Sequence, residues 1–203
     1  MAAALSNIRV VDMSRVLAGP WAGQLLGDYG ADVVKVERPR VGDDTRQWGP
    51  PWLGAEDARE SAYFLSANRN KRSVTVNLAS EQGQQVIRDL VANADVLLEN
   101  YKVGTMSRFG LGHDELIALN PGLVYCSISA FGQSGSRASE PGYDAMIQAS
   151  AGLMSITGPE GRDSGGPQKV GVAIADIMAG MYATTAVLAA LNAREQTGRG
   201  QHI

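Results

Sequence analysis

The chain has 203 residues, of which 44% are hydrophobic, and a formal net charge of -3. This length allows one sizeable domain with its own core, and this composition excludes a disordered chain and argues against nucleic acid as the main partner. Two histidines and a single cysteine, Cys126, disfavour a metal site and leave no partner for an internal disulfide. The first residues lack the pattern of a signal peptide, and Asp176 interrupts the apolar stretch near residues 170–191. We therefore expect a cytoplasmic protein without a membrane span.

Short β-branched runs alternate with helix-like stretches along most of the chain. Strands are predicted at residues 8–13, 31–37, 73–78, 95–100 and 123–130, with Cys126 as a small core residue of the last one. Helices are predicted at residues 20–30, 80–93, 114–120 and 143–155. This alternation predicts an α/β fold, a Rossmann-like and mostly parallel sheet flanked by helices, for a single domain over residues 1–203.

Two further stretches carry expectations of their own. The polar loop 39–59 is rich in proline and glycine, and a loop of this length is more often functional than a simple connection. The final residues 197–203, TGRGQHI, resemble the start of another strand.

A dinucleotide site is disfavoured. Glu37 ends the second predicted strand, where a dinucleotide-binding protein would hold a ribose hydroxyl, but the G-x-G-x-x-G motif is absent.

One acidic residue, Asp176, stands within the apolar run 170–190. An unpaired buried charge costs several kcal/mol, so this carboxylate must be capped, paired or used in chemistry. The Ala-, Leu- and Met-rich run after it predicts a buried helix with Asp176 at its N-terminus, where free N–H groups and the helix dipole should keep its pKa low. From the residues alone, a helix cap and a carboxylate nucleophile both remain open.

Several ordered blocks of the chain closely resemble the family III CoA-transferases, the CaiB/BaiF family. The blocks are IRVVDMSRVLAGPWAGQLLGDYGADVVKVERP, NRNKRSVTVNL, ADVLLENYKVGTMSRFGL, GYDAMIQASAGLMSITG and KVGVAIADIMAGMYA. The resemblance implies that Asp176, the last residue of a G-x-x-x-x-D run, is the nucleophile. It also implies acyl-CoA and carboxylic acid substrates, no permanently bound cofactor, and an interlocked homodimer of longer chains, of which this chain resembles the N-terminal portion with the second domain missing.

The resemblance further implies a set of contacts with coenzyme A. The implied residues are Val16, Leu17, Ala18, Arg38, Arg72, Val76, Asn100, Tyr101, Arg108 and Tyr143. The first βα turn offers main-chain N–H groups to a phosphate, and Asn100 and Tyr101 follow a strand, at the edge where α/β proteins bind ligands. Arg72 belongs to the cationic run 68–72, which either lines the rim of an anion site or forms a solvated face.

Departures from one branch of the family bear on the substrate. Leu17, Ala79 and Pro141 replace the Gln, Lys and Lys of formyl-CoA transferases, which disfavours formyl-CoA and oxalyl-CoA as substrates. The runs PGYD and MSITG resemble branches of the family that handle larger acyl groups or dicarboxylates such as succinate. Two alternatives stay open: a 2-methylacyl-CoA racemase and a CoA-binding subunit without catalysis. Racemases carry His where this chain has Tyr143, and a phenol is a poor base near neutral pH.

Overall fold

A five-stranded parallel sheet organises the protein, a computed structural model that describes residues 3–158 and 165–203. The strands in chain order are β1 (Arg9–Asp12), β2 (Asp32–Glu37), β3 (Trp52–Leu53), β4 (Glu60–Ser61), β5 (Lys71–Thr75), β6 (Val96–Glu99) and β7 (Val124–Ser127). The sheet has the order β5-β2-β1-β6-β7 with every pairing parallel, and β3 and β4 form a separate antiparallel pair. The predicted Rossmann-like α/β fold is confirmed.

Helices cover both faces of this sheet. They are α1 (Ala18–Asp28), α2 (Ala62–Ser66), α3 (Glu81–Val91), α4 (Thr105–Arg108), α5 (His113–Leu119), α6 (Asp144–Ser150), α7 (Leu153–Ile156) and α8 (Ile174–Thr197). One core cluster joins α1 and α8 to the sheet, and a second joins α3 and α5 to the opposite face. Because both faces are covered, the central strands are apolar on both sides, as all four residues of β6 are buried.

The structure changes several predicted boundaries. The predicted helix 143–155 is two helices, α6 and α7, because Gly152 between them adopts φ 87°, a left-handed conformation that ends a helix turn. The loop 39–59 contains a 3₁₀ turn (Asp44–Gln47) and strand β3. The glycine- and proline-rich residues 159–164, between two of the family-like blocks, lie outside the described residues.

The end of the chain pairs with β7. Tyr125 N–H donates to the Gln201 carbonyl at 2.9 Å, and the Tyr125 carbonyl accepts from Ile203 N–H at 2.9 Å, which makes a parallel bridge between Tyr125 and His202. Residues 197–203 are predicted to begin another strand, and the structure shows one isolated parallel bridge there. Cys126 is a buried residue of β7, as predicted.

The helix α8 corrects the expectation that Asp176 rules out a membrane span. By length and composition alone it could cross a membrane, with a mean hydropathy of 1.6 over its most apolar window. Asp176 therefore does not exclude a span on those grounds. Packing explains part of its apolar character, because 33% of that window is buried, including Ala183, Val187 and Ala190 in the core cluster shared with α1.

Candidate active site

A cleft of about 350 Å³ opens at the carboxyl end of the sheet. It lies beside the neighbouring strands β1 and β6, where the strand order reverses and where open α/β sheets bind their ligands. The turn after β1, the loops after β6 and β7, and the first residues of α6 and α8 form its walls. Its lining includes Arg15, Val16, Leu17, Ala18, Asp44, Asn100, Tyr101, Lys102, Ser129, Tyr143, Ile147, Ala175 and Asp176.

The cleft brings together most of the residues that the sequence singled out. They come from four separate stretches of the chain and are Val16, Leu17, Ala18, Asn100, Tyr101, Tyr143 and Asp176. Tyr143 is 73% exposed, and Tyr101 packs at the rim with the Arg15 guanidinium 5.7 Å from its ring centre. A nucleophile candidate and the candidate CoA contacts thus face one space, although up to about 160 residues separate them in sequence.

Four other predicted contacts lie outside the lining of this cleft. Arg72 pairs with Asp32 through contacts of 2.7 Å at the amino end of β5 and β2, which is the far end of the sheet. Val76 is buried in the core. Arg38 is exposed and ion-paired with Asp44, itself a lining residue, so it stands next to the cleft rather than in it.

The fourth residue, Arg108, is on the short helix α4. Its guanidinium donates to Thr105 Oγ1 at 3.2 Å and is exposed. Of the cationic run 68–72, Lys71 is buried against Asp12, and Arg69 pairs with Asp28. Lys71 therefore forms a buried ion pair, whereas Arg69 and Arg72 form surface ion pairs at the amino end of the sheet, away from the cleft.

A buried ion pair holds the turn after β1 in an unusual main-chain conformation. Val16 has φ 71°, a left-handed value that a β-branched residue rarely adopts. Its N–H donates to both carboxylate oxygens of Asp43 at 3.3 Å, and Asp43 is paired at 2.9 Å with Lys35. Lys35 also donates to the Ser14 carbonyl at 2.9 Å, and both ions are almost fully buried. A buried ion pair therefore fixes the main chain of the turn that lines the cleft.

Two polar side chains at the carboxyl ends of strands, the predicted CoA contact Asn100 and Glu37, for which a ribose contact is disfavoured, form hydrogen bonds within the protein. Asn100 Oδ1 accepts from Arg15 N–H at 3.0 Å, and its Nδ2 donates to the Arg15 carbonyl at 2.7 Å, so the amide clamps the first turn onto the loop after β6. Glu37 accepts two 2.7 Å hydrogen bonds from Arg46 and one from Ser73. Burial opposes ionisation of Glu37, but these hydrogen bonds outweigh it and lower its pKa to about 2. Glu37 is a structural residue here.

Asp176 is the third residue of α8, and its carboxylate faces the cleft. The expectation of a low pKa is wrong: burial, and then the negative charge of Asp144, raise the pKa of Asp176 to about 6. The N–H groups expected to stabilise its charge also have another acceptor. Asp144 Oδ1 accepts from Ala175 N–H at 2.8 Å and from Asp176 N–H at 3.3 Å. Within the described residues, no hydrogen bond to the Asp176 carboxylate is found, which disfavours the helix-cap interpretation.

Sequence reasoning missed several residues around the cleft. Arg15 and Lys102 add cationic groups, and each directly adjoins a residue that was singled out. Tyr63 on α2 lies close enough to Asp176 for its pKa to be raised, chiefly by burial and then by the charges of Asp176 and Asp144. Nothing in the local sequence around Tyr63 indicates this proximity. In the described ranges no group of three or more His, Cys, Asp or Glu side chains could hold a metal ion.

Comparison with known proteins connects this geometry to a family. Residues 5–203 match the family model described as CoA-transferase family III. Over 98% of its length the chain is 50% identical to succinate–glutarate CoA-transferase of Agrobacterium fabrum, and it covers 50% of that protein. It is 47% identical to succinyl-CoA:glutarate CoA-transferase of Homo sapiens, covering 44% of that protein.

Solved structures agree with the fold. A CaiB/BaiF family protein from Brucella suis matches the whole chain with a TM-score of 0.95 at 50% identity, and the match covers 53% of that protein. Rv3272 from Mycobacterium tuberculosis matches 99% of the chain with a TM-score of 0.89 at 40% identity, over 54% of its own length. The chain spans about half the length of these relatives. It belongs to CoA-transferase family III.

Proposed function

We propose that the protein transfers coenzyme A from an acyl-CoA thioester to a free carboxylic acid, with Asp176 as the nucleophile. The observation that supports this most is the Asp176 carboxylate itself. It faces the cleft, it is partly buried, and no hydrogen bond to it is found in the part of the chain that the structure describes. A carboxylate in such a position is available to attack an electrophile in a site with restricted water.

The chemistry proceeds through two kinds of covalent intermediate. An Asp176 oxygen attacks the thioester carbonyl carbon of the donor, the C–S bond breaks, and a mixed anhydride and CoA thiolate form. The thiolate then attacks the aspartyl carbonyl carbon, which releases the donor acid and leaves an aspartyl-CoA thioester. The acceptor carboxylate reverses both steps and regenerates Asp176. No net proton transfer is needed, and each step replaces one acyl bond with another.

The charge state of Asp176 sets when this reaction is possible. With a pKa of about 6, Asp176 is roughly nine-tenths ionised at pH 7 and protonated in most molecules at pH 5. The ionised form is the nucleophile, so turnover falls as the pH drops through about 6. A carboxylate with a raised pKa is also the stronger nucleophile once it is ionised, so burial near a second carboxylate favours the attack.

The binding of coenzyme A is assigned to the walls of the cleft. Arg15 and Lys102 line it, and Arg38 is beside it through Asp44, so three cationic groups that can pair with phosphates lie in or next to its walls, alongside the acidic lining residues Asp44, Glu140 and Asp176. Tyr101 and Tyr143 provide aromatic surface for the adenine or pantetheine. Since the relatives reported above are named for succinate, succinyl-CoA and glutarate, we assign succinyl-CoA as donor and a dicarboxylic acid as acceptor.

The complete enzyme is proposed to be an interlocked homodimer in the cytoplasm, with residues 1–203 as its CoA-binding domain. No permanently bound cofactor is included in this proposal, since CoA is a substrate. The apolar side chains that α6, α7 and α8 expose beside the cleft are consistent with further protein covering this face: Tyr143, Met146, Ile156, Met178, Met181 and Tyr182 are exposed.

Replacement of the nucleophile tests the proposal. Asp176→Ala in the full-length protein should abolish succinyl-CoA transfer while the thermal unfolding midpoint stays close to wild type. Hydroxylamine added with succinyl-CoA should convert the aspartyl-CoA thioester to a hydroxamate on the peptide that holds Asp176, detectable by mass spectrometry. Asp89→Ala, an exposed aspartate on α3, is the control and should behave as wild type. Transfer by Asp176→Ala at the wild-type rate would remove Asp176 from the mechanism.

The racemase alternative makes a different prediction. A racemase exchanges the α-proton of a chiral 2-methylacyl-CoA, so in deuterated water the substrate would gain deuterium and lose its configuration. With Tyr143 in place of the racemase histidine, we expect neither on the time scale of CoA transfer. Rapid deuterium incorporation, followed by NMR, would favour the racemase. Tight CoA binding with neither reaction in the full-length protein would favour the non-catalytic subunit.

A further inference from the structure

The helix that carries Asp176 has no cap of its own. Its N-cap residue is Ala173, which has no side-chain acceptor, and the first N–H groups of a helix lack partners within the helix. The acceptor comes instead from α6: Asp144 Oδ1 lies 2.8 Å from Ala175 N and 3.3 Å from Asp176 N. Asp144 therefore binds the main chain of the proposed nucleophile directly, across 32 residues of sequence.

A second side chain fixes Asp144 in turn. Gln148 lies one helical turn further along α6 and is 1% exposed. Its Nε2 donates to Asp144 Oδ2 at 2.6 Å, and its Oε1 accepts from Val170 N–H at 2.8 Å. One buried amide thus connects the capping carboxylate to the segment that leads into α8. Both carboxylate oxygens of Asp144 and both polar atoms of the Gln148 amide form hydrogen bonds, so the two side chains have one well-defined arrangement.

We propose that Asp144, held by Gln148, is a positioning residue for Asp176: it fixes the first turn of α8 and the electrostatic surroundings of the nucleophile. The cleft is lined by Tyr143 and Ile147, the neighbours of Asp144 on α6, and not by Asp144 itself. Asp144 therefore acts through Asp176 and does not contact the substrate. This inference rests on the proposed function, because it assigns a role within that reaction.

The arrangement has a consequence for the charge on Asp176. Asp144 supplies a negative charge from α6, and Tyr63 on α2 is the other titratable group that interacts with both carboxylates. On the cleft wall, the other charged side chains are Asp44, Glu140, Arg15 and Lys102. Asp144 uses the helix N–H groups that would otherwise stabilise the ionised nucleophile, and its own charge favours the protonated form of Asp176. Both effects make the ionised nucleophile more basic.

Replacing the charge while keeping a capping oxygen separates the two effects of Asp144. Asp144→Asn retains an acceptor oxygen for the N–H groups of Ala175 and Asp176 and removes the negative charge. Its Nδ2 takes the place of the oxygen that accepts from Gln148 Nε2, so this one hydrogen bond is lost as well. We expect the acid limb of kcat for succinyl-CoA transfer to move to lower pH. The limb should stay above the ordinary range for aspartate, because burial is the larger cause of the raised pKa. Asp144→Ala, which removes the cap too, should lose roughly 10- to 100-fold in kcat with KM for succinyl-CoA within about twofold of wild type.

The chain offers a matched control for these variants. Asp89 on α3 also accepts a hydrogen bond from a glutamine four residues away, Gln85 Nε2 at 2.8 Å, but it lies on the opposite face of the sheet. Asp89→Asn in the full-length protein should leave kcat, KM and the acid limb unchanged. An acid limb of Asp144→Asn that coincides with those of wild type and Asp89→Asn would overturn the proposal. So would a loss in Asp144→Ala that appears entirely in KM.

A direct titration of the Asp176 carboxyl group tests the positioning role of Asp144 independently of the proposed function. The carboxyl carbon of Asp176 can be followed by NMR in ¹³C-aspartate-labelled protein and assigned by its loss in Asp176→Asn. Ionisation at lower pH in Asp144→Asn than in wild type supports the positioning role even if no variant, wild type included, transfers CoA, in which case the proposed function alone fails. Unchanged ionisation of Asp176 would overturn the positioning role whatever the activity.

Discussion

Replacing Lys71 by methionine should destabilise the protein far more than the same change at its neighbour Arg72. Lys71 Nζ donates to Asp12 Oδ2 at 2.8 Å, to the Pro20 carbonyl at 2.8 Å and to Asn68 Oδ1 at 2.9 Å. The side chains of Lys71 and Asp12 are 2% and 0% exposed. Removing Lys71 leaves the buried Asp12 carboxylate with its hydrogen bond from Ser14 N–H and the charge of Lys35 but without its ion-pair partner, and breaking a buried pair in this way costs about 3–5 kcal/mol.

The neighbouring residue is a control built into the same strand. Arg72 also pairs with an aspartate of an adjacent strand, Asp32, but the two side chains are 70% and 50% exposed. A surface pair of this kind contributes about 0–1 kcal/mol. Urea unfolding of Lys71→Met and Arg72→Met, compared through the free energy of unfolding in water, measures the difference. Since whole domains have a stability of about 5–15 kcal/mol, Lys71→Met should remove a large fraction of it.

The pH dependence gives an independent check on the cause. Burial opposes ionisation of Asp12, but the charges of Lys71 and Lys35 outweigh it and lower its pKa. A lowered folded-state pKa contributes stability above the ordinary pKa of aspartate, and this contribution is lost as the pH falls through the folded-state value. The difference between wild type and Lys71→Met should therefore shrink on acidification, and Asp12→Asn in the Lys71→Met background should recover much of the loss. Equal losses for Lys71→Met and Arg72→Met, or a pH-independent difference, would refute the reasoning.

Two further predictions concern packing and ligand binding. Gly180→Ala should cost about 1–3 kcal/mol of unfolding free energy, because a Cβ there would lie 2.5 Å from the Ala18 carbonyl oxygen and would push α1 and α8 apart. Gly171→Ala, whose Cβ would meet no described atom within 4 Å, is the thermal-melting control, and equal losses would contradict the steric argument. Arg38→Gln and Arg108→Gln should each weaken CoA binding by about 1–3 kcal/mol in calorimetry and weaken binding of acyl-pantetheine, which lacks the nucleotide, much less. Equal losses for both ligands would make these arginines structural.

Local sequence patterns predicted the parts of the site that depend on local order. The strand–helix alternation placed Val16 and Asn100 at the ends of β1 and β6, and parallel pairing then brings them to one edge of the sheet. The apolar run after Asp176 predicted a helix with the carboxylate near its start, as in α8. These inferences need periodicity and strand order, both of which are visible in the sequence.

The predictions that failed depend on tertiary contacts or on backbone conformation, which local sequence does not reveal. The dipole of α8 predicted a low pKa for Asp176, but burial and then the charge of Asp144 raise it, and the contact with Asp144 across 32 residues has no local signature. Arg72 was grouped with its neighbours by composition, yet the register of β5 against β2 places it at the amino end of the sheet. The predicted helix 143–155 ends early because Gly152 adopts a left-handed conformation, which glycine permits but does not require.

The start of α1 at the cleft has an electrostatic consequence. Leu17 and Ala18 line the cleft, so the N-terminal end of α1 faces it with roughly half a positive charge, whereas the first N–H groups of α8 already bind Asp144. The net charge of -3 therefore says little about the field that an approaching anion meets. A ligand with several phosphates is steered by this local field within a Debye length of about 8 Å at physiological salt, so ionic strength should slow its association more than it weakens the bound complex.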